Sequence, residues 1–142
     1  MRFWDSSALV PLLVEESSST AIRALLGDDP VVVVWQLAGT EVTSALWRRR
    51  RADEIDEIDR CLAEAGLGIL EGLWTAVEDT PLVDRRARRL LALHPLRAAD
   101  ALHLAAALIA CDERTKMLPL VTLDDRLADA ACREGFRVLP ED

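Results

Sequence analysis

The run Val31-Val32-Val33-Val34-Trp35 narrows the folds open to this chain more than any other stretch. Valine is branched at Cβ, which suits a strand better than a helix. The run also has no polar position. A strand with one wet face alternates apolar and polar residues, so an uninterrupted apolar run calls for cover on both faces. Sheets covered on both sides are mostly parallel, with helices packed above and below. Shorter apolar runs at Met1–Trp4, Pro119–Leu123 and Phe136–Leu139 read as further strands, and a short strand is expected within Gly66–Leu73.

Between these runs the periodicity becomes helical. Ser6–Val14, Thr20–Leu26, Leu37–Arg51, Thr80–Leu93, Arg97–Cys111 and Asp124–Glu134 all read as helices. Ser17, Ser18 and Ser19 offer a cap, and Gly27-Asp28-Asp29-Pro30 carries turn chemistry. Thr80-Pro81 pairs a capping residue with a first-turn proline, and Gly135 supplies a stop. In Asp53–Ala65, Ile55, Ile58 and Leu62 recur at intervals of three and four between acids, which predicts an outer amphipathic helix. Strands alternating with helices imply an α/β fold with a parallel sheet. At 142 residues and 51% hydrophobic composition, the chain is long enough to bury a core without disulfides, so residues 1–142 are expected to form one domain.

Several function classes are excluded or disfavoured. No segment is long and apolar enough to span a bilayer, and the N-terminus lacks a secretion-signal pattern, so a cytoplasmic location is expected. Cys61, Cys111 and Cys132 show no short paired spacing and read as reduced core thiols. No glycine-rich nucleotide fingerprint is present. A phosphatase or receiver domain also places acids after parallel strands, but the close Asp-x-Asp pair and late-strand lysine are missing. The net charge of −8 argues against affinity for nucleic acid through overall charge, although it leaves a nuclease open.

Four acids stand where such a chain would bring them together. Asp5 follows the first strand, Asp124 follows Pro119–Leu123, Glu41 lies near the start of its helix, and Asp100 sits among Ala98, Ala99, Ala101 and Leu102. The carboxyl ends of parallel strands face a shared crevice. Carboxylates gathered there repel unless a cation joins them, and an all-oxygen donor set suits Mg²⁺ or Mn²⁺ better than zinc. Each acid also has a plainer explanation. Asp5 and Asp124 would serve as helix caps, Glu41 as a helix-dipole partner, and Asp100 as an ion-pair partner of Arg97. Four such coincidences are harder to accept than one site. Ser7 and Thr122 are placed to hydrogen-bond the carboxylates. Arg48 follows Glu41 by two helical turns, roughly 10 Å, a reach that fits a neighbouring phosphate. His103 reads as a hydrogen-bonded core residue, and Trp47 as a packing group with some capacity to stack on a base.

With these residues in view the chain resembles PIN-domain ribonucleases, specifically the VapC-type toxins of bacterial toxin–antitoxin pairs. The matching pieces are Phe3-Trp4-Asp5-Ser6-Ser7-Ala8-Leu9, Glu41, Leu96-Arg97-Ala98-Ala99-Asp100-Ala101-Leu102-His103-Leu104-Ala105 and Val121-Thr122-Leu123-Asp124. The resemblance implies a three-layer α/β/α fold with a parallel sheet of four or five strands. It also implies that Asp5, Glu41, Asp100 and Asp124 bind Mg²⁺ or Mn²⁺, with Asp125 a neighbour of the fourth acid. The implied activity is hydrolysis of RNA phosphodiester bonds, and the implied partners are a VapB-type antitoxin and a second copy in a homodimer. The competing expectation is a non-catalytic RNA- or protein-binding module on the same fold.

Overall fold

The computed structural model describes residues 1–141. Five short strands form one parallel sheet: β1 (Arg2–Trp4), β2 (Val32–Trp35), β3 (Thr75–Val77), β4 (Leu120–Val121) and β5 (Val138–Leu139). Their spatial order is β3-β2-β1-β4-β5. The chain therefore builds outward from β1 in one direction through β2 and β3, and in the other through β4 and β5. That makes the β1/β4 boundary the switch point of the sheet, where parallel α/β folds open a crevice at their carboxyl ends.

Helices α1 (Ser6–Leu13), α2 (Ser19–Asp28), α3 (Ala38–Arg51) and α4 (Glu57–Glu71) cover one face, and α5 (Thr80–Leu93), α6 (Ala98–Ala110) and α7 (Asp125–Arg133) cover the other. The pleat assigns the strand residues to these layers. Trp4, Val32, Val34 and Val121 pack with α1 to α4, while Phe3, Val33, Trp35 and Leu120 pack with α5 to α7. The valine run is buried throughout β2, as a strand covered on both sides must be. The fold is thus the expected three-layer α/β architecture with five strands.

The third strand lies elsewhere than expected. Gly66–Leu73 is not a strand: α4 runs through it to Glu71, and β3 starts at Thr75. The helix continues because Ala63 and Leu67, four residues apart, share one buried face, which two glycines weaken without breaking. The helix also starts later than the periodicity indicates. Asp56 caps it, its carboxylate accepting from Asp59 N at 2.8 Å in a reciprocal capping box. Ile55 precedes the helix and is buried, whereas Ile58, Leu62, Ile69 and Leu73 are exposed on the outer side.

Smaller corrections have local causes. Asp79, not Thr80, caps α5, accepting from Leu82 N at 3.0 Å, and Pro81 falls one position further into the first turn. Helix α2 extends through Gly27 to Asp28, so the turn is confined to Asp29 and Pro30. Ser18 occupies the cap position of α2 without making a cap bond, since its hydroxyl goes to Glu16. Cys111 is a buried thiol, but Cys61 and Cys132 are exposed, and all three are free. Gly135, at φ 92° just past α7, holds a backbone conformation that glycine adopts without strain.

The inner face of α4 generates a stability prediction. Leu67→Ala removes a side chain that is 5% exposed and is expected to cost about 2–5 kcal/mol of unfolding free energy in urea titrations. Leu62→Ala, at a position 67% exposed, is expected to stay within about 0.5 kcal/mol of the parent. Equal losses at both positions would contradict this orientation of the helix.

Candidate metal centre and cleft

Four helix N-termini meet at the carboxyl edge of the sheet, and each brings one of the acids. Asp5 caps α1, Glu41 lies in the first turn of α3, Asp100 in that of α6, and Asp124 caps α7. The topology produces this grouping directly for α1, α3 and α7, which leave β1, β2 and β4 at the same edge; α6 follows α5, and the contacts of its His103 with Glu41 and Asp5 mark its start at that edge. Helix N-termini carry partial positive charge and unpaired N–H groups, so carboxylates are stabilised there.

Asp5 is buried, and its two oxygens have different roles. Oδ2 accepts from Ser7 Oγ at 2.5 Å, Thr122 Oγ1 at 3.0 Å and Ser7 N at 3.2 Å. Oδ1 takes none of these bonds and lies 3.5 Å from His103 Nδ1. The two hydroxyls also join the corner after β1 to the corner after β4. Ser7 Oγ accepts from Leu123 N at 2.9 Å, and the Thr122 bond to Asp5 crosses the same gap, while Thr122 Oγ1 accepts from Asp124 N of its own corner at 3.1 Å. Ser7 and Thr122 therefore hold Asp5 and bind the neighbouring loop at the same time.

Glu41 is held by two groups that bond the same oxygen. Ser6 Oγ donates to Oε2 at 2.8 Å, and His103 Nε2 lies 2.8 Å from it. Burial alone would raise the Glu41 pKa. The His103 hydrogen bond and charge, with the Ser6 hydroxyl, outweigh it and hold the carboxyl below its usual range. His103 shows the converse balance: burial favours the neutral ring, but Glu41, Asp5 and Asp100 together raise its pKa. The ring is 1% exposed and meets Phe3 edge-on, with centroids 6.4 Å apart.

Potential ligand atoms of Asp5, Glu41 and His103 all lie within 4.8 Å of one another. Asp100 and Asp124 stand outside this tight group. Asp100 Oδ2 accepts from Arg97 N at 2.9 Å, and its negative charge acts on His103. It is half-buried and not enclosed by apolar groups, because Ala98 and Ala99 are exposed at the start of α6. The contact with Arg97 is through the backbone, and no Arg97–Asp100 ion pair forms among the described residues. Asp124 Oδ1 accepts from Leu127 N at 2.9 Å. Together with exposed Asp125 it lines a groove of about 510 Å³ that shares Leu123 with a second cleft.

This cleft, of about 460 Å³, opens between α1 and α3. Ser6, Ser7, Glu41, Ala99 and Leu123 line it, and Arg48 and Arg49 line it about two turns further along α3 from Glu41. Arg48 thus lies on the cleft wall, whereas Trp47 is covered by the Arg60 guanidinium, 4.2 Å from the ring centroid. His103 and Ser6 are the site residues that sequence reasoning passed over. The available signal was spacing: His103 follows Asp100 by three residues on the same side of α6.

A divalent cation fits this donor set. The acids supply hard oxygen ligands, Asp5 Oδ1 is free of the clamp on Oδ2, and no arginine or lysine pairs with any of the four acids among the described residues.

These features agree with comparisons to known proteins. The PIN domain model matches residues 2–132, and the chain belongs to the PIN-domain family. Within that family it stands with the VapC-type proteins. It is 36% identical over 141 residues to Ribonuclease VapC45 of Mycobacterium tuberculosis (strain CDC 1551 / Oshkosh), covering 97% of this chain and 94% of that protein. The same figures hold for Ribonuclease VapC49 of Mycobacterium tuberculosis (strain ATCC 25618 / H37Rv). The crystal structure of PAE2754 from Pyrobaculum aerophilum shares the fold, with a TM-score of 0.68 at 22% identity over 97% of this chain and 88% of that one.

The imidazole between the carboxylates predicts how metal-free stability depends on pH. The His103 pKa is raised above 6.5 in the folded chain, so its contribution is complete below 6.5 and is lost as pH rises through the folded value. The Glu41 pKa is lowered below 4.5, so its contribution is present above 4.5 and is lost as pH falls through the folded value. In EDTA, melting temperature should therefore decline from near neutral to mildly alkaline pH. His103→Gln should flatten that decline, and an unchanged pH profile in the variant would disprove the assignment.

Proposed function

We propose that this chain is a metal-dependent endoribonuclease that hydrolyses RNA phosphodiester bonds as the toxin of a toxin–antitoxin pair. The observation that supports the reading is the close grouping of Asp5 and Glu41 around His103, with Asp100 and Asp124 at neighbouring helix starts and, among the described residues, no lysine or arginine paired with any of the four. The 36% identity to VapC ribonucleases over nearly the whole chain supports the choice of substrate.

In this reading Asp5 and Asp100 are direct ligands of Mg²⁺ or Mn²⁺, and Asp124 is a ligand directly or through water. Glu41 is a ligand or orients the attacking water. When bound, the ion supplies Lewis-acid chemistry, lowering the pKa of a water and neutralising charge on the phosphate. Asp5 presents Oδ1 to the centre because Ser7 and Thr122 occupy Oδ2. His103 and Ser6 hold Glu41 in the cleft, and Arg48 contacts a phosphate next to the scissile one. The remaining elements of the reading are a single domain, a cytoplasmic location, a VapB-type antitoxin as partner and a homodimeric assembly. No helix among the described residues is long and apolar enough to cross a membrane.

The test is cleavage of RNA by the purified chain. Mg²⁺ or Mn²⁺ should support cleavage and EDTA should stop it. Thr122→Val is expected to lower activity or metal affinity about 10–100-fold, as loss of a group that orients a ligand does. Asp5→Asn and Asp100→Asn should lose more. Cleavage by Asp5→Asn at the parental rate would overturn the reading. A protein that binds RNA, gives no heat with Mg²⁺ in calorimetry and never cuts would instead be the non-catalytic module.

A further inference from the structure

The cleft continues past the acids to an ion pair that the chemistry above does not use. Helix α3 presents Glu41, Ser44, Arg48 and Arg49 to it, at offsets of three, seven and eight residues, which share one helical face. At 1.5 Å per residue the two arginines lie about 10–12 Å beyond Glu41 along the helix. Arg48 has no acidic partner among the described residues. Arg49 has one: its guanidinium is bonded to the Glu16 carboxylate, which also lines the cleft.

Glu16 belongs to the turn between α1 and α2, and local bonds fix it there. Ser18 Oγ donates to its carboxylate at 2.8 Å, and its own N–H donates to Ser19 Oγ at 2.9 Å. Ser19 is fully buried and donates in turn to Pro11 O at 2.8 Å. The pair itself is about one-quarter exposed on each side, so solvent and an incoming anion can reach it. Carboxylate and phosphate oxygens are equivalent acceptors for a guanidinium.

We infer that Arg49, beside Arg48, is a subsite for a backbone phosphate of single-stranded RNA, and that Glu16 occupies it as a built-in competitor. The inference rests on the RNA reading above and extends it. The strand runs from the acids along the α1/α3 cleft and contacts Arg48 first. It takes Arg49 only by displacing Glu16, so the chain's own carboxylate weakens binding at the arginine end of the cleft.

The experiment measures binding of a fluorescently labelled oligouridylate in Mg²⁺ across a range of KCl concentrations, with Asp5→Asn as the background so that no strand is cut. Adding Glu16→Gln should raise affinity at least threefold, and adding Arg49→Ala as well should cancel the gain. Glu16→Asp, whose shorter reach draws the carboxylate away from Arg49, should give an intermediate gain and provides a second route should the Gln variant fold poorly. Arg48→Ala should reduce the salt slope of log K by roughly 0.7, the loss of one phosphate contact on a single strand. Unchanged or weaker binding by both folded Glu16 variants, while Arg48→Ala still weakens binding, would show that the ion pair only fastens the α1–α2 turn, and the inference would fall alone. Absence of RNA binding by every folded variant would remove the RNA reading and the inference with it.

Discussion

Repulsion among carboxylates is the interaction to which the rest of this structure responds. Oxygens of Asp5 and Glu41 lie within 4.8 Å of each other, and two full charges at that limit, at an effective dielectric near 20, repel by about 3–4 kcal/mol. Helix N-termini return only about 0.3–1 kcal/mol each, so the dipoles that gather the acids do not balance them. The difference falls to specific bonds: three on Asp5 Oδ2, and the Ser6 and His103 bonds on Glu41. Among the described residues His103 is the one basic side chain that contacts the acids. That explains why both pKa shifts at the centre favour the charged pair, carboxylate and imidazolium, despite burial. A divalent ion would relieve the same repulsion from the cleft side.

The sheet order determines where this repulsion is concentrated. Strand β1 is central, with β2 and β4 on either side, so the loops after β1 and β4 diverge at their carboxyl ends. Asp5 and Asp124 leave from those two loops. Ser7 and Thr122 close the gap from opposite sides: Thr122 donates across it to Asp5, and Ser7, which donates to Asp5 in its own loop, accepts the Leu123 N–H from the other. A short polar bridge thus does what the diverging backbone cannot.

Much of this was legible in the sequence, for identifiable reasons. The valine run announced a doubly covered strand, and the acids at strand ends announced a shared crevice, because both signals are local and periodic. What escaped depended on distant partners. Gly66–Leu73 reads as a short strand when taken alone, yet Leu67 completes a buried helical face begun four residues earlier. Asp100 looked enclosed because its sequence neighbours are small and apolar, although Ala98 and Ala99 face solvent at a helix start. His103 could be recognised as a hydrogen-bonded buried residue, but that its partner would be Glu41, 62 positions away, is written only in the fold.

The double duty of Asp5 and Asp124 affects how such a protein can change. Each carboxylate has one oxygen that starts a helix, through Ser7 N in the first case and Leu127 N in the second, and the other oxygen is spared from that task. Replacing either residue by alanine would damage the architecture along with any reactivity. Asparagine keeps a capping oxygen and removes the charge, so exchanging one oxygen for an amide nitrogen is the least disruptive route by which a lineage could silence such a centre and keep the scaffold.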